Sequence, residues 1–201
     1  MNKQITNFAD ARPTDAVDAV FESFPLTIAQ KRIWSLEQIG NYTVFPYQVI
    51  GLRLSAAIDI ETIAGACRAL VAQNPSLASR FRRLAGGRIE QYRGASNAVP
   101  IEILGNDGAA LSEPDALAAR KAFRDKRSDL LEGPGARIQI IRLAEAQLLL
   151  TIVLHPIICD DREKSVLARS LARILDGRTR RRYAAGGNHR RNAGSRLAGD
   201  G

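Results

Sequence analysis

The stretch Ala136-Arg-Ile-Gln-Ile-Ile-Arg-Leu143, Ala144-Glu-Ala146, Gln147-Leu-Leu-Leu-Thr-Ile-Val-Leu154, and after it His155-Pro-Ile-Ile-Cys-Asp-Asp161, decides how this chain folds. Two eight-residue segments rich in apolar and β-branched residues, joined by three residues, read as a paired antiparallel hairpin. The second segment is almost continuously apolar, which predicts a strand buried on both faces and therefore central in its sheet. Asp160, with Glu163 three residues later, is a capping-box signature. It predicts a helix from about Asp161 to Leu175, with Leu167, Leu171 and Ile174 turned inward. The junction between strand and helix places an imidazole, a thiol and two carboxylates within residues 155 to 161. A strand end that opens onto a helix start is a frequent place for a site in sheet proteins.

Upstream, Gly133-Pro134-Gly135 marks a turn, and Pro114 to Lys126 reads as a charged, Ala-rich helix after a loop over 105 to 113. Short strands are predicted near 88 to 93 and 100 to 104. Asp59 caps a helix carrying Ile60, Ile63, Ala64, Cys67, Leu70 and Val71 at helical spacing, which Asn74-Pro75 ends. Tyr47 to Ser55 reads as a strand. Thr27 and Gln30 form another capping box; the helix behind it turns Ala29, Ile33, Trp34 and Leu36 inward and stops at Gly40-Asn41. Residues 1 to 23 are expected to be a weakly ordered leader, 24 to 175 the folded lobe, and 176 to 201 a disordered Arg/Gly-rich tail. Helices interspersed with strands, some of them hairpins, predict α/β (α+β), a mixed sheet packed by helices.

The composition bounds the function. A chain of 201 residues with 45% hydrophobic and 25% charged residues is an ordinary globular domain, which excludes a collagen-like repeat or a disulfide scaffold. The net charge of +8 is misleading, because seven arginines and two aspartates after Leu175 supply most of it. Only Tyr183 offers a stacking aromatic there, so nucleic acid is not an expected partner. Arg80, Arg82 and Arg83 read as a solvated loop edge. Two cysteines, Cys67 and Cys159, fit a reduced cytoplasmic protein. No apolar run approaches the roughly 20 residues that span a bilayer, and the polar N-terminus lacks the apolar stretch of a signal peptide. No membrane association is expected.

Acid–base chemistry can centre only on His155 or His189, the two histidines of the chain. A structural reading stands beside each candidate. His155 can be a hydrogen-bonded core residue, Cys159 a small buried hydrophobe, and the acidic residues a helix cap. A metal site from His155, Cys159 and the acids lacks a second ligand pair, and a Cys–His nucleophile lacks an orienting third residue. Gly133-Pro134-Gly135 is no dinucleotide fingerprint, since a strand follows it and the third glycine is missing.

Three stretches together resemble the N-terminal half of a condensation domain from nonribosomal peptide synthetases. Leu26-Thr-Ile-Ala-Gln-Lys-Arg-Ile-Trp-Ser-Leu36 is similar to the family's S-x-A-Q-x-R-[LM]-[WY]-x-L. Val71-Ala-Gln-Asn-Pro-Ser-Leu-Ala-Ser-Arg-Phe81 resembles R-H-x-x-L-R-T-x-F, with Asn74 for the histidine. Asp129-Leu-Leu-Glu-Gly-Pro-Gly-Ala-Arg137 is similar to the segment F-D-L-x-x-G-P-L-x-R that precedes the active-site hairpin. The resemblance implies the N-terminal lobe of a chloramphenicol-acetyltransferase-like fold. It implies amide-bond formation between acyl groups held on phosphopantetheine of carrier proteins, with no resident cofactor and no metal. Carrier-protein domains or other synthetase modules are the implied partners.

The family's H-H-x-x-x-D-G motif reads His155-Pro156-Ile-Ile-Cys-Asp160-Asp161 here. In the family the second histidine assists the attacking amine; Pro156 has no titratable group and no N–H. His155 keeps the place of the structural first histidine. Asp160 keeps that of an aspartate expected to pair with an arginine, for which Arg137 is a candidate. Asp161 replaces a glycine that lets substrate approach. The resemblance also implies a missing C-terminal lobe, and the patternless residues after Gly177 look like an out-of-frame reading, so a truncated or frameshifted gene is one origin. The expected outcome is a chain inactive in condensation. The alternative is a docking module like the degenerate X-domains, whose H-R-x-x-x-D-D pattern matches at His155, Asp160 and Asp161.

Overall fold

A computed structural model describes residues 22–39, 46–55, 57–106, 109–144 and 146–192, with side chains as far as Thr179. The elements run in the order β1 (Ser23–Pro25), α1 (Ile28–Ile39), β2 (Gln48–Ser55), α2 (Ile60–Gln73), β3 (Ser79–Arg83), β4 (Ile89–Arg93) and β5 (Ile101–Leu104). They continue with α3 (Glu113–Asp125), β6 (Ala136–Leu143), β7 (Gln147–Leu154) and α4 (Asp161–Asn192).

The hairpin anticipated from the sequence is the centre of a four-stranded sheet ordered β2-β7-β6-β5. β7 pairs antiparallel with both β2 and β6, and β5 runs parallel to β6, so the sheet is mixed. Every residue of β7 from Leu148 to Leu154 is buried. Leu148, Leu150, Ile152 and Leu154 join Ile138 and Ile140 in a core shared with α2 and α4. Leu149 turns to the opposite face, where Ile141, Leu143 and Ala116 of α3 enclose it. Two-sided packing is the physical reason that β7 lacks the alternation of a half-exposed strand. A second, antiparallel sheet, β1-β4-β3, lies beside the first and buries Phe81 against Trp34.

Helix starts follow the side chains that satisfy free backbone amides. Asp59 accepts the Thr62 N–H at 2.7 Å. Ser112 accepts that of Asp115 at 3.3 Å, with Pro114 in the first turn, where its missing N–H costs nothing. Thr27 and Gln30 close the anticipated box, with backbone-to-side-chain bonds of 3.0 and 3.2 Å.

Two strands escaped the sequence reading. β1 (Ser23–Pro25) lies at the expected start of the folded lobe, one residue of it inside the expected leader, where no strand is anticipated. Ser79–Arg83 pairs along β4, so Arg80, Arg82 and Arg83 sit on a strand and not on a loop edge. One buried large side chain, Phe81, in a run of arginines is too little alternation to register as a strand. The helix expected to end at Leu175 continues as helical backbone to Asn192. Packing explains the overrun at its start: Arg178 lies on α2 where Gly65 leaves room, its Nη1 2.8 Å from where a Cβ would stand. The leader up to residue 21, the Gly40-Asn41 helix stop, residues 193 to 201 and the side chains of Tyr183 and His189 lie outside the described residues. Among the described residues no helix is long and apolar enough to cross a membrane.

Leu150→Ala, at a fully buried position of the central strand, is expected to cost about 2–5 kcal/mol. Urea unfolding of the variant checks it; a shift near zero would mean the hairpin is not the core.

Candidate functional site

The segment 155–161 emerges from the C-terminal end of β7 and turns at once. The His155 carbonyl accepts the Ile158 N–H at 3.0 Å, which places Pro156 second in a four-residue turn. Proline is preorganised for that position, since its ring fixes φ and the site needs no donor. The turn is tied back to the β6 side by the His155 N–H, which donates to the Gly135 carbonyl at 2.8 Å. A side chain on Gly135 would meet Ile158 at 3.1–3.2 Å, so glycine lets these two segments approach.

His155 is 1% exposed. Its Nδ1 accepts the Ile157 N–H at 3.1 Å, which assigns the proton of the neutral ring to Nε2. Nε2 faces Oε1 of Glu37 at 3.0 Å. That oxygen lies off the N–H direction and has no aligned donor, so the contact is a close approach of imidazole and carboxyl group rather than a directed hydrogen bond. Glu37 is 9% exposed and is the one buried residue of α1 among those described. This helix, which leaves Ile28 and Ile39 in solvent, is seated by Ile33 and Trp34 against the core and also by polar contacts. Gln30 supplies another, donating from Nε2 to the Ile157 carbonyl at 3.1 Å and to Gln91 Oε1 at 2.7 Å. Arg127 reaches the Glu37 carbonyl at 3.5 Å.

On the other side of the imidazole, the Tyr47 ring meets it edge-on at 5.3 Å. The Arg137 guanidinium covers Tyr47 at 5.0 Å and Phe123 at 5.4 Å. Its N–H groups donate to the carbonyls of Phe123, Arg124 and Lys126 and to the Ser128 hydroxyl. Arg137 therefore closes the C-terminal end of α3, where the helix dipole favours a cation. The ion pair expected between Arg137 and Asp160 is not formed. Asp160 instead accepts the Glu163 N–H at 2.7 Å and caps α4, while its neighbour Asp161 pairs with Lys164 at 2.8 Å on the surface.

Cys159 is buried, and burial together with Glu163 and Asp160 pushes its thiol up to about 12. Burial pushes Cys67 up to about 12 as well. Neither is a thiolate near neutral pH. Burial and Asp160 also raise Glu163 above the usual carboxylate range.

The structure thus gathers His155, Pro156, Cys159, Asp160 and Asp161 along one short segment but gives them separate tasks. Glu37 and Tyr47, which the sequence reading did not single out, complete the surroundings of the imidazole. Glu37 was detectable in principle, because it stands three and four positions after Trp34 and Ile33 and so shares the inward phase of the helix.

The family model for the condensation domain matches residues 20–183. The chain belongs to the condensation-domain family. It is 28% identical over 164 residues to cyclosporin synthetase simA of Tolypocladium inflatum, covering 81% of this chain and 1% of that protein. Among solved structures, the starter condensation domain of rhizomide synthetase RzmA is matched with a TM-score of 0.66 at 20% identity, over 77% of this chain and 37% of that one. The complex of the X-domain and OxyB from teicoplanin biosynthesis is matched with a TM-score of 0.66 at 24% identity, over 84% of this chain and 35% of the other. This condensation-domain chain therefore spans about a third of the solved structures it matches, and the fold is that of their shared portion.

His155→Ala would leave the Ile157 N–H buried without its acceptor, so a loss of about 1–3 kcal/mol is expected. Glu37→Gln should cost less, because the amide keeps the shape of the side chain and leaves the Ile157 N–H bonded. Equal and small losses in urea titrations would show the pair to be idle. The thiols set an alkaline limit. Below about pH 9 both are protonated in folded and unfolded chains alike. Between about 9 and 12 the unfolded chain ionises first, so stability should fall as pH rises. A Cys67→Ala/Cys159→Ala variant should lose less over that window in pH-dependent urea unfolding.

Proposed function

We propose that this chain is a non-catalytic condensation-domain lobe that works by docking within nonribosomal peptide synthesis. Amide formation between carrier-bound groups needs an amine to attack a thioester carbonyl, lose a proton and expel the thiol. The single observation that carries the reading is Pro156, the second residue of the 155–158 turn. It stands where the motif's proton-accepting histidine belongs and has no group that accepts a proton. His155 does not substitute for it, since its ring is buried with Nδ1 engaged and Nε2 turned to Glu37. Loss of such a base costs about 10²–10⁴ in rate.

A docking role draws support from the surface beside that turn. Ile28 and Ile39 of α1 are 88% and 83% exposed, and Phe24 is also exposed. Large apolar side chains in solvent suit a protein partner, which this reading takes to be a carrier-protein domain bearing its own phosphopantetheine. A narrower version, recruitment of a tailoring oxygenase, is favoured by His155, Asp160 and Asp161, which fit H-R-x-x-x-D-D at all positions but 156, and by the match to the X-domain complexed with OxyB.

Two assays test the proposal. With acyl- and aminoacyl-loaded carrier proteins, the chain should form no amide faster than the uncatalysed mixture; product above that level overturns the inactive reading. In calorimetric titrations with a purified carrier protein and, separately, an oxygenase of the same kind of assembly line, one should bind and Ile28→Glu should weaken it. Binding of neither overturns the docking role.

A further inference from the structure

Residues 79–93 hold five arginines and one glutamate, more net positive charge than the first 175 residues carry together. The β3–β4 pairing fixes how these charges are displayed. Phe81 is buried, so its neighbours Arg80 and Arg82 point to the opposite face, opposite Tyr92 and Glu90 respectively. Arg82 lies over the Tyr92 ring at 5.6 Å and reaches Glu90 only at 3.5 Å, an exposed pair worth little. Arg80 has no carboxylate within ion-pair range among the described residues, and its Nε is buried without an acceptor. Two residues apart on one face of a strand, the two side chains start about 6.6 Å from each other, close enough for both guanidinium groups to reach one small anion.

We infer that the outer face of β3 and β4 is an oxyanion site for a phosphate group, clamped by Arg80 and Arg82 beside Tyr92. A carboxylate is saturated by one guanidinium fork; a tetrahedral phosphate offers separate oxygens to two. Glu90, the one acid on this face of the pair, is displaced from Arg82 by the stronger acceptor.

Titration of the full chain with inorganic pyrophosphate at low ionic strength tests the site. Saturable binding is expected, weakened about tenfold by Arg80→Gln or Arg82→Gln, each removing a charge-assisted contact, and unchanged by Arg173→Gln on α4. Arg82→Lys, which keeps the charge but not the fork, should fall between. A phosphoserine peptide run in parallel separates the sources: tighter binding of the peptide assigns a protein-borne phosphate, equal binding a free one. No saturation, an equal loss with Arg173→Gln, or equally tight binding of a peptide with glutamates for phosphoserine would overturn the assignment.

Discussion

Burial of β7 on both faces is the constraint from which the rest of the architecture follows. A strand with apolar side chains on each side needs a layer above and below it. Here α2 and α4 supply one layer and α3 the other. With β7 central, its C-terminal end opens inside the protein and not at a rim. The segment that follows must therefore turn within a packed environment, where each polar group needs a partner. Pro156, the Gly135 carbonyl and the bond from the Ile157 N–H to the imidazole meet that demand together.

The turn in turn seats α1. The one buried residue of that helix among those described is a glutamate, and what it meets is the imidazole of the turn. Gln30 adds a link to the turn and to β4. Beyond the imidazole, Tyr47 and Arg137 carry the contacts on to the end of α3. Two helices, α1 and α3, and both sheets are thus referred to one four-residue turn. At 156 the turn presents the rigid ring of a proline.

Much of this was legible in the chain itself. The hairpin β6–β7, the capped starts of α1, α2 and α4, and the mixed sheet follow from apolar periodicity and capping residues, which act over a few neighbours and so leave local signatures. β1 and β3 left none, because strands of three and five residues are stabilised by pairing with β4 and not by their own pattern. The overrun of α4 beyond Gly177 was hidden for a related reason, as room on α2 at Gly65 lies far away in sequence.

The sequence by itself determined the family, the central hairpin and the proline at position 156, since each is a matter of residue identity and short-range order. Only the tertiary structure decided the partners. Arg137 could have met Asp160, two candidates on neighbouring elements, yet the open carbonyls at the end of α3 and two aromatic rings hold it, and Asp160 stays at its helix cap. Glu37 found His155 across more than a hundred residues of chain. Charges that are taken out of water settle on whichever compensating groups the fold brings within reach, and no local pattern encodes that distance.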